Sequence, residues 1–121
     1  MALLKGGYAV SRLDPGCAIP LWATGSFVSI TRTHEELSIM CPEDNVPDGV
    51  ETERGWRGLA VSGRLDFSLV GILRSLLGPL AEAGVPVFVM STFETDYLFV
   101  KQGRLEQALE VLRKAGHEID S

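Results

Sequence analysis

Two short stretches carry the side chains best suited to hold a small polar ligand: Leu65-Asp66-Phe67-Ser68-Leu69-Val70-Gly71-Ile72-Leu73 and Ser91-Thr92-Phe93-Glu94-Thr95-Asp96-Tyr97. Asp66 and Asp96 offer carboxylates to a cation, and Ser68, Ser91 and Thr92 donate or accept hydrogen bonds without adding charge. Phe67 and Phe93 offer apolar walls, and both are expected to be partly buried. Gly71 has no Cβ, so a ligand or another backbone can come close to it. A few polar groups among apolar walls is the general form of a small-ligand pocket. Structural roles stand beside these. Asp66 suits a helix cap, Asp96 an Asx-type turn, and Gly71 helix packing.

Catalytic and metal chemistry find less support. His34 falls in a hairpin turn and His117 just past a helix, both expected as solvated surface histidines without the acid and nucleophile a triad needs. Two histidines and two cysteines without ligand spacing argue against a metal site. No phosphate loop of the GxxxxGK[ST] or GxGxxG type occurs. Cys41 before Pro42 reads as a strand-end core thiol. The acids of 43–53 read as a solvated loop rather than a hard-cation site. The expectation is therefore a non-catalytic protein with no cofactor and no metal.

The whole chain sets the frame for these residues. Its 121 residues suit one compact domain or two very small halves sharing a core. A hydrophobic content of 45% allows a core. The net charge of −5 disfavours nucleic acid and anionic membrane surfaces. No apolar run approaches the roughly 20 residues of a membrane span, and the start lacks an apolar signal core. With only Cys17 and Cys41, free thiols in a cytoplasmic setting are expected.

In chain order, residues 8–13 read as a strand closed by Asp14-Pro15-Gly16. Residues 17–24 suit one or two helical turns with Pro20 near the start. Residues 27–33 alternate and pair with 37–41 in a hairpin. Residues 43–53 read as a connecting loop, and 54–63 as a strand. Apolar residues recur at Leu69, Leu73, Leu76 and Leu80 and at Val70, Leu77 and Ala81, the stripe of an amphipathic helix. Gly84 suits its C′ position, while Gly78-Pro79 conflicts with it. Residues 86–91 and 96–100 read as strands, 104–115 as a second helix buried through Leu105, Ala108, Leu109 and Leu112, and 117–119 as a last short strand. The second part thus reads β-α-β-β-α-β, a ferredoxin-like α+β order. The first reads β-(short α)-β-β, an echo in element order without a residue-level repeat.

Gly71-Ile72-Leu73, Leu76 and Leu80-Ala81-Glu82-Ala83-Gly84-Val85-Pro86-Val87 resemble the ACT-domain pattern of a strand, a glycine, a helix ending in LAxAG, and a second strand. With Pro42-Glu43-Asp44, Arg54-Gly55-Trp56, Leu65-Asp66-Phe67 and 91–97 in the same order, nearly the whole chain after Tyr8 is similar to small bacterial proteins with a partial ACT unit ahead of a complete one. The tandem is similar also to that of the cytosolic arginine-sensor proteins. The resemblance implies a truncated ACT-like half at 1–53 and a complete ACT domain at 54–121, with antiparallel sheets and helices on one face. It implies an amino-acid-binding regulatory module that forms a homodimer. The implied ligand residues are Asp66, Phe67, Ser68, Leu69, Gly71, Ile72, Thr92, Phe93 and Asp96. An amino acid's carboxylate suits the free N–H groups at the start of the helix near Leu69, and its ammonium suits Asp96. The arginine sensors carry extra acids in the first loop. Phe67-Ser68-Leu69-Val70 lacks them, which disfavours a guanidinium. An assembly module without a small ligand, using open sheet edges, is the alternative.

Overall fold

The computed structural model describes residues 1–61 and 69–120, with only the backbone at 69 and 70. The chain is α+β and divides into two units, Gly6–Trp56, and Met1–Lys5 together with Arg57–Ser121. Strands β1 (Ala2–Leu3), β2 (Tyr8–Leu13), β3 (Ser29–Arg32), β4 (Leu37–Pro42) and β5 (Glu51–Ala60) precede helix α1 (Leu69–Glu82). Strands β6 (Phe88–Ser91) and β7 (Asp96–Lys101) and helix α2 (Leu105–Lys114) follow.

In the unit Gly6–Trp56 the strands lie in the order β3-β4-β2-β5, and the three pairings are antiparallel. Ala9, Leu37, Ile39, Cys41 and Val46 form its core. The expected helix at 17–24 is absent. The Ala23 N–H reaches only the Pro20 carbonyl, at 3.2 Å. Pro20 and Gly25, at a φ of 138°, leave too few residues for a stable helical nucleus. The segment instead spreads Cys17, Trp22, Ala23 and Val28 over the sheet core.

The expected loop at 43–53 is shorter than the sequence reading has it. A 3-10 turn spans Glu43–Asn45 and β5 begins at Glu51. Glu51, Thr52 and Glu53 pair with Arg12, Ser11 and Val10. Exposed Glu51 and Glu53 made this part of the strand read as loop. The register shifts between Val10–Glu53 and Tyr8–Trp56, which marks a bulge at Arg54-Gly55. Gly55 accommodates it with a φ of 84°. The Glu43 Oε1 accepts the Gly55 N–H at 2.9 Å, and the Arg54 guanidinium donates to the carbonyls of Glu43 and Val46 at 2.7 and 3.0 Å.

In the other unit the order is β1-β5-β7-β6, with β1 antiparallel to β5 and β6 antiparallel to β7. Leu59, Leu98 and Val100 from the strands meet Leu76 and Leu80 of α1 and Leu105, Ala108 and Leu112 of α2 in one core. The last strand expected at 117–119 reduces to a parallel bridge between Asp120 and Ala2. Strand β1, unseen in the sequence, occupies the edge beside β5 at Ala60 and Leu59. On the opposite face, Phe99 is fully buried and stacks on Phe88 at 5.3 Å. A Cβ on Gly58 would come within 2.7 Å of the Phe99 ring.

Helix α1 runs through Pro79 to Glu82, and Gly84 closes it in the left-handed region. The Gly84 N–H meets the Ala81 carbonyl at 3.0 Å and the Val85 N–H the Leu80 carbonyl at 2.9 Å. Proline at 79 has no N–H for the Ser75 carbonyl four residues earlier. The His117 Nε2 takes that role, donating to the Ser75 oxygen at 3.0 Å. His117 is therefore half-buried and bonded rather than a solvated surface residue. His117→Ala should lower stability by about 1 kcal/mol. In a Pro79→Ala background, where residue 79 supplies its own N–H, the same change should cost close to nothing. Equal costs in both backgrounds, measured by urea unfolding, would remove His117 from this role.

Candidate functional site

The hairpin between β6 and β7 is built from its turn outward. Thr92 closes it through three bonds. Its N–H donates to the Thr95 carbonyl at 2.8 Å, its hydroxyl bonds the same oxygen at 3.1 Å, and that hydroxyl accepts the Thr95 N–H at 3.2 Å. Thr95 Oγ1 donates to the Val61 carbonyl at 2.8 Å, and the Val61 N–H donates to the Asp96 carbonyl at 2.9 Å. The turn is thereby tied to the residue that leads into 62–68. Sequence reasoning passed over Thr95 and Val61, although a Thr-x-x-Thr turn is a readable signal for the first.

Asp96 begins β7 and pairs with Ser91 across the hairpin. It is 3% exposed. Its Oδ1 accepts a hydrogen bond from the Ser91 hydroxyl. Its Oδ2 is buried and has no hydrogen-bond partner among the described residues. The Asx-turn role is taken by Thr92, which makes the turn's side-chain bonds. A buried carboxylate oxygen without a partner is costly.

Asp66, Phe67 and Ser68 lie outside the described residues, as does the side chain of Leu69. Gly71 is exposed, and a Cβ there would meet open space among the described atoms. Ile72 is half-buried against the helix-side core and lines a cleft of about 330 Å³ with Val61, Ser75, His117 and Glu118. Asp96 does not line that cleft. Thr92 is exposed at the hairpin end. Phe93, expected to be partly buried, is instead 102% exposed. It projects from the second position of the turn, where no described element covers it.

The other chemistry-bearing groups are elsewhere. His34 is exposed in the turn between β3 and β4. Both thiols are free, and burial pushes that of Cys41 up, away from the reactive thiolate. Among the described residues, no group of three His, Cys, Asp or Glu side chains could hold a metal ion, and no helix is long and apolar enough to cross a membrane.

A family model described as an ACT domain matches residues 51–114, more than half of the chain. The chain belongs to the ACT-domain family. A second model, described as an N-terminal domain, matches residues 6–49. An X-ray structure of an Agrobacterium tumefaciens protein is 42% identical, with a TM-score of 0.92 over 98% of this chain and 90% of that one. Escherichia coli aspartokinase III, in complex with aspartate and ADP, shares the fold at 12% identity, with a TM-score of 0.66 over 96% of this chain and 33% of that one. The human cytosolic arginine sensor for mTORC1 subunit 1 is 27% identical over 118 residues, 83% of this chain and 36% of the relative. This chain therefore spans about a third of the length of that sensor and its orthologues.

The Thr92 hydroxyl makes two of the three bonds by which that residue closes the hairpin turn. Thr92→Ala should cost about 1 kcal/mol, and Thr92→Ser should restore most of it. Denaturant midpoints of the two variants check this, and an unchanged Thr92→Ala midpoint would count against the assignment.

Proposed function

We infer that this ACT protein is a non-catalytic regulatory module that binds a small molecule, an amino acid, between the strand-helix loop 65–72 and the turn 91–96. The observation that carries the reading is Asp96, almost wholly buried, with one carboxylate oxygen unbonded among the described residues. An α-ammonium matches that oxygen in charge and in donor count. The amino acid's carboxylate then falls to the free N–H groups at the start of α1, where the helix dipole favours an anion. The ties from Thr95 and Asp96 to Val61 support the pairing of the two loops, because Val61 leads directly into 62–68. Asp66, Phe67, Ser68, Leu69, Gly71 and Ile72 form the loop side of this site, and Thr92, Phe93 and Asp96 the turn side.

The division into a truncated ACT-like half and a fuller ACT unit follows the two units of the fold, with β1 and the bridge at Asp120 at the place where a last strand was expected. The module is a cytoplasmic homodimer, in keeping with relatives named as cytosolic sensors. The fully exposed Phe93 supports a second copy at the hairpin end, since water is a poor neighbour for an aromatic ring. Arginine is disfavoured, because Phe67-Ser68-Leu69-Val70 carries no acid for a guanidinium.

Each of the twenty amino acids at about 5 mM is to be tested by thermal shift, and at least one should raise Tm by mass action. Asp96→Ala should abolish that rise. Silence across the panel argues against the reading, and a rise surviving in Asp96→Ala removes Asp96 from the site. Light scattering at micromolar concentration should give a dimer, with Phe93→Ala shifted toward monomer; a wild-type monomer would exclude the assembly.

A further inference from the structure

Large apolar side chains on the surface of this chain are not scattered. Among the described residues four are exposed, Ile19, Leu21, Ile30 and Phe93, and three of them fall in one stretch of the unit Gly6–Trp56. That stretch, 15–31, contains no charged residue, although 22% of the chain is charged. Leu21 is 96% exposed and Ile19 54%. Single exposed apolar residues are ordinary, but uncharged surface with several apolar tips has the composition of an interface core. The tips are also held in place. Cys17, Trp22 and Ala23, on either side of them, pack on the core of Leu37, Ile39 and Cys41. The Cys17 N–H donates to the Asp14 carbonyl at 3.0 Å, the Thr24 N–H to the Trp22 carbonyl at 2.8 Å, and the Asn45 side-chain amide to the Thr24 carbonyl at 2.8 Å. A preformed apolar tip loses little conformational entropy when a partner covers it.

The third residue of the stretch gives the shape of that partner. Ile30 lies on β3 directly opposite Ile39, so its side chain is on the sheet face that the 17–24 segment covers. The Arg32 guanidinium, also on β3, donates to the Pro15 carbonyl and ties the strand to the start of that segment. Strand β3 ends the sheet order, and among the described residues it pairs only with β4. Its outer backbone groups form an open edge that another extended chain can complete, and Ser29, Ile30 and Thr31 carry no charge or proline to blunt it. An uncharged edge offers no counter-ion, so a charged strand laid on it would lose water without gaining a pair. With the hairpin end of the other unit given to a dimer, as proposed above, a further self-contact here would join dimer to dimer in an open chain. We propose that 17–24 and the edge of β3 form one docking surface for a different protein, which adds an uncharged extended strand to β3 and covers Ile19 and Leu21 with apolar side chains. The choice of a different protein over a second copy rests on that dimer; the surface itself does not.

Two measurements on the full chain test it. In the first, a benzophenone amino acid replaces Leu21, the chain is irradiated in its host cells, and the cross-linked peptides are sequenced by mass spectrometry. The cross-link should join position 21 to a segment of a different protein. A cross-link to this chain itself, or none at all, overturns the proposal. In the second, the cross-linked segment is synthesised as a peptide and added to the purified chain. It should bind, and it should slow amide exchange at one or more of Ser29–Arg32 by about tenfold or more. Leu21→Ser, at a position that packs on nothing, should leave Tm unchanged and weaken the peptide by about tenfold or more. Binding that leaves the β3 amides unprotected, or that Leu21→Ser does not weaken, also overturns the proposal. Light scattering separates this result from the dimer reading. Leu21→Ser should keep the mass of the wild type. A wild-type monomer sinks the dimer and leaves the cross-link to decide. A wild-type dimer that Leu21→Ser dissociates gives this surface to a second copy and overturns the proposal.

Discussion

Every backbone N–H and C=O taken from water needs a partner, and at several points among the described residues the regular ladder fails to provide one. At Pro79 the missing N–H leaves the Ser75 carbonyl open, and His117 fills it from the segment after α2. At the Gly55 bulge the N–H is held by Glu43, whose carboxylate occupies the space a side chain on Gly7 would take. At the hairpin ends Thr33 and Thr92 satisfy turn N–H groups with their hydroxyls. These side chains account for motifs that a composition-level reading treats as surface or loop. Pro42-Glu43-Asp44 and Arg54-Gly55-Trp56, far apart in sequence, are two sides of one bulge.

Against that background Asp96 stands apart. Its carboxylate lies in the interior and repairs no backbone defect. One oxygen is bonded to Ser91, and the other meets no donor among the described residues. In the function proposed above, that second oxygen is the group an α-ammonium would meet.

The fold and the candidate site were legible to different depths. The stripe from Leu76 to Leu80 and the face of Leu105, Ala108 and Leu112 announced both helices, because helical periodicity is a local property. Alternation in 37–41 and the apolar run around Val89 announced strands for the same reason. The two hairpins shared a turn chemistry that no residue-level repeat revealed, since only Thr33 and Thr92 carry it while their flanking residues differ in type. At the site, Asp96 was legible as an acid after a turn, but whether it held the turn or faced a ligand was not.

The sequence by itself determined the period of each regular element, the glycine that ends α1 and the residue types available at the site, all of which depend on neighbours a few positions away. Tertiary structure alone decided the rest. It extended β5 back to Glu51 by pairing it with β2, and it brought Ala2 and Leu3 to the edge of β5 from the far end of the chain. It cleared 17–24 of helix so that Trp22 could cover a sheet. It also buried Asp96 while leaving Phe93, three residues earlier, in solvent. Burial and pairing depend on which distant segment arrives, and no local pattern of residues carries that information.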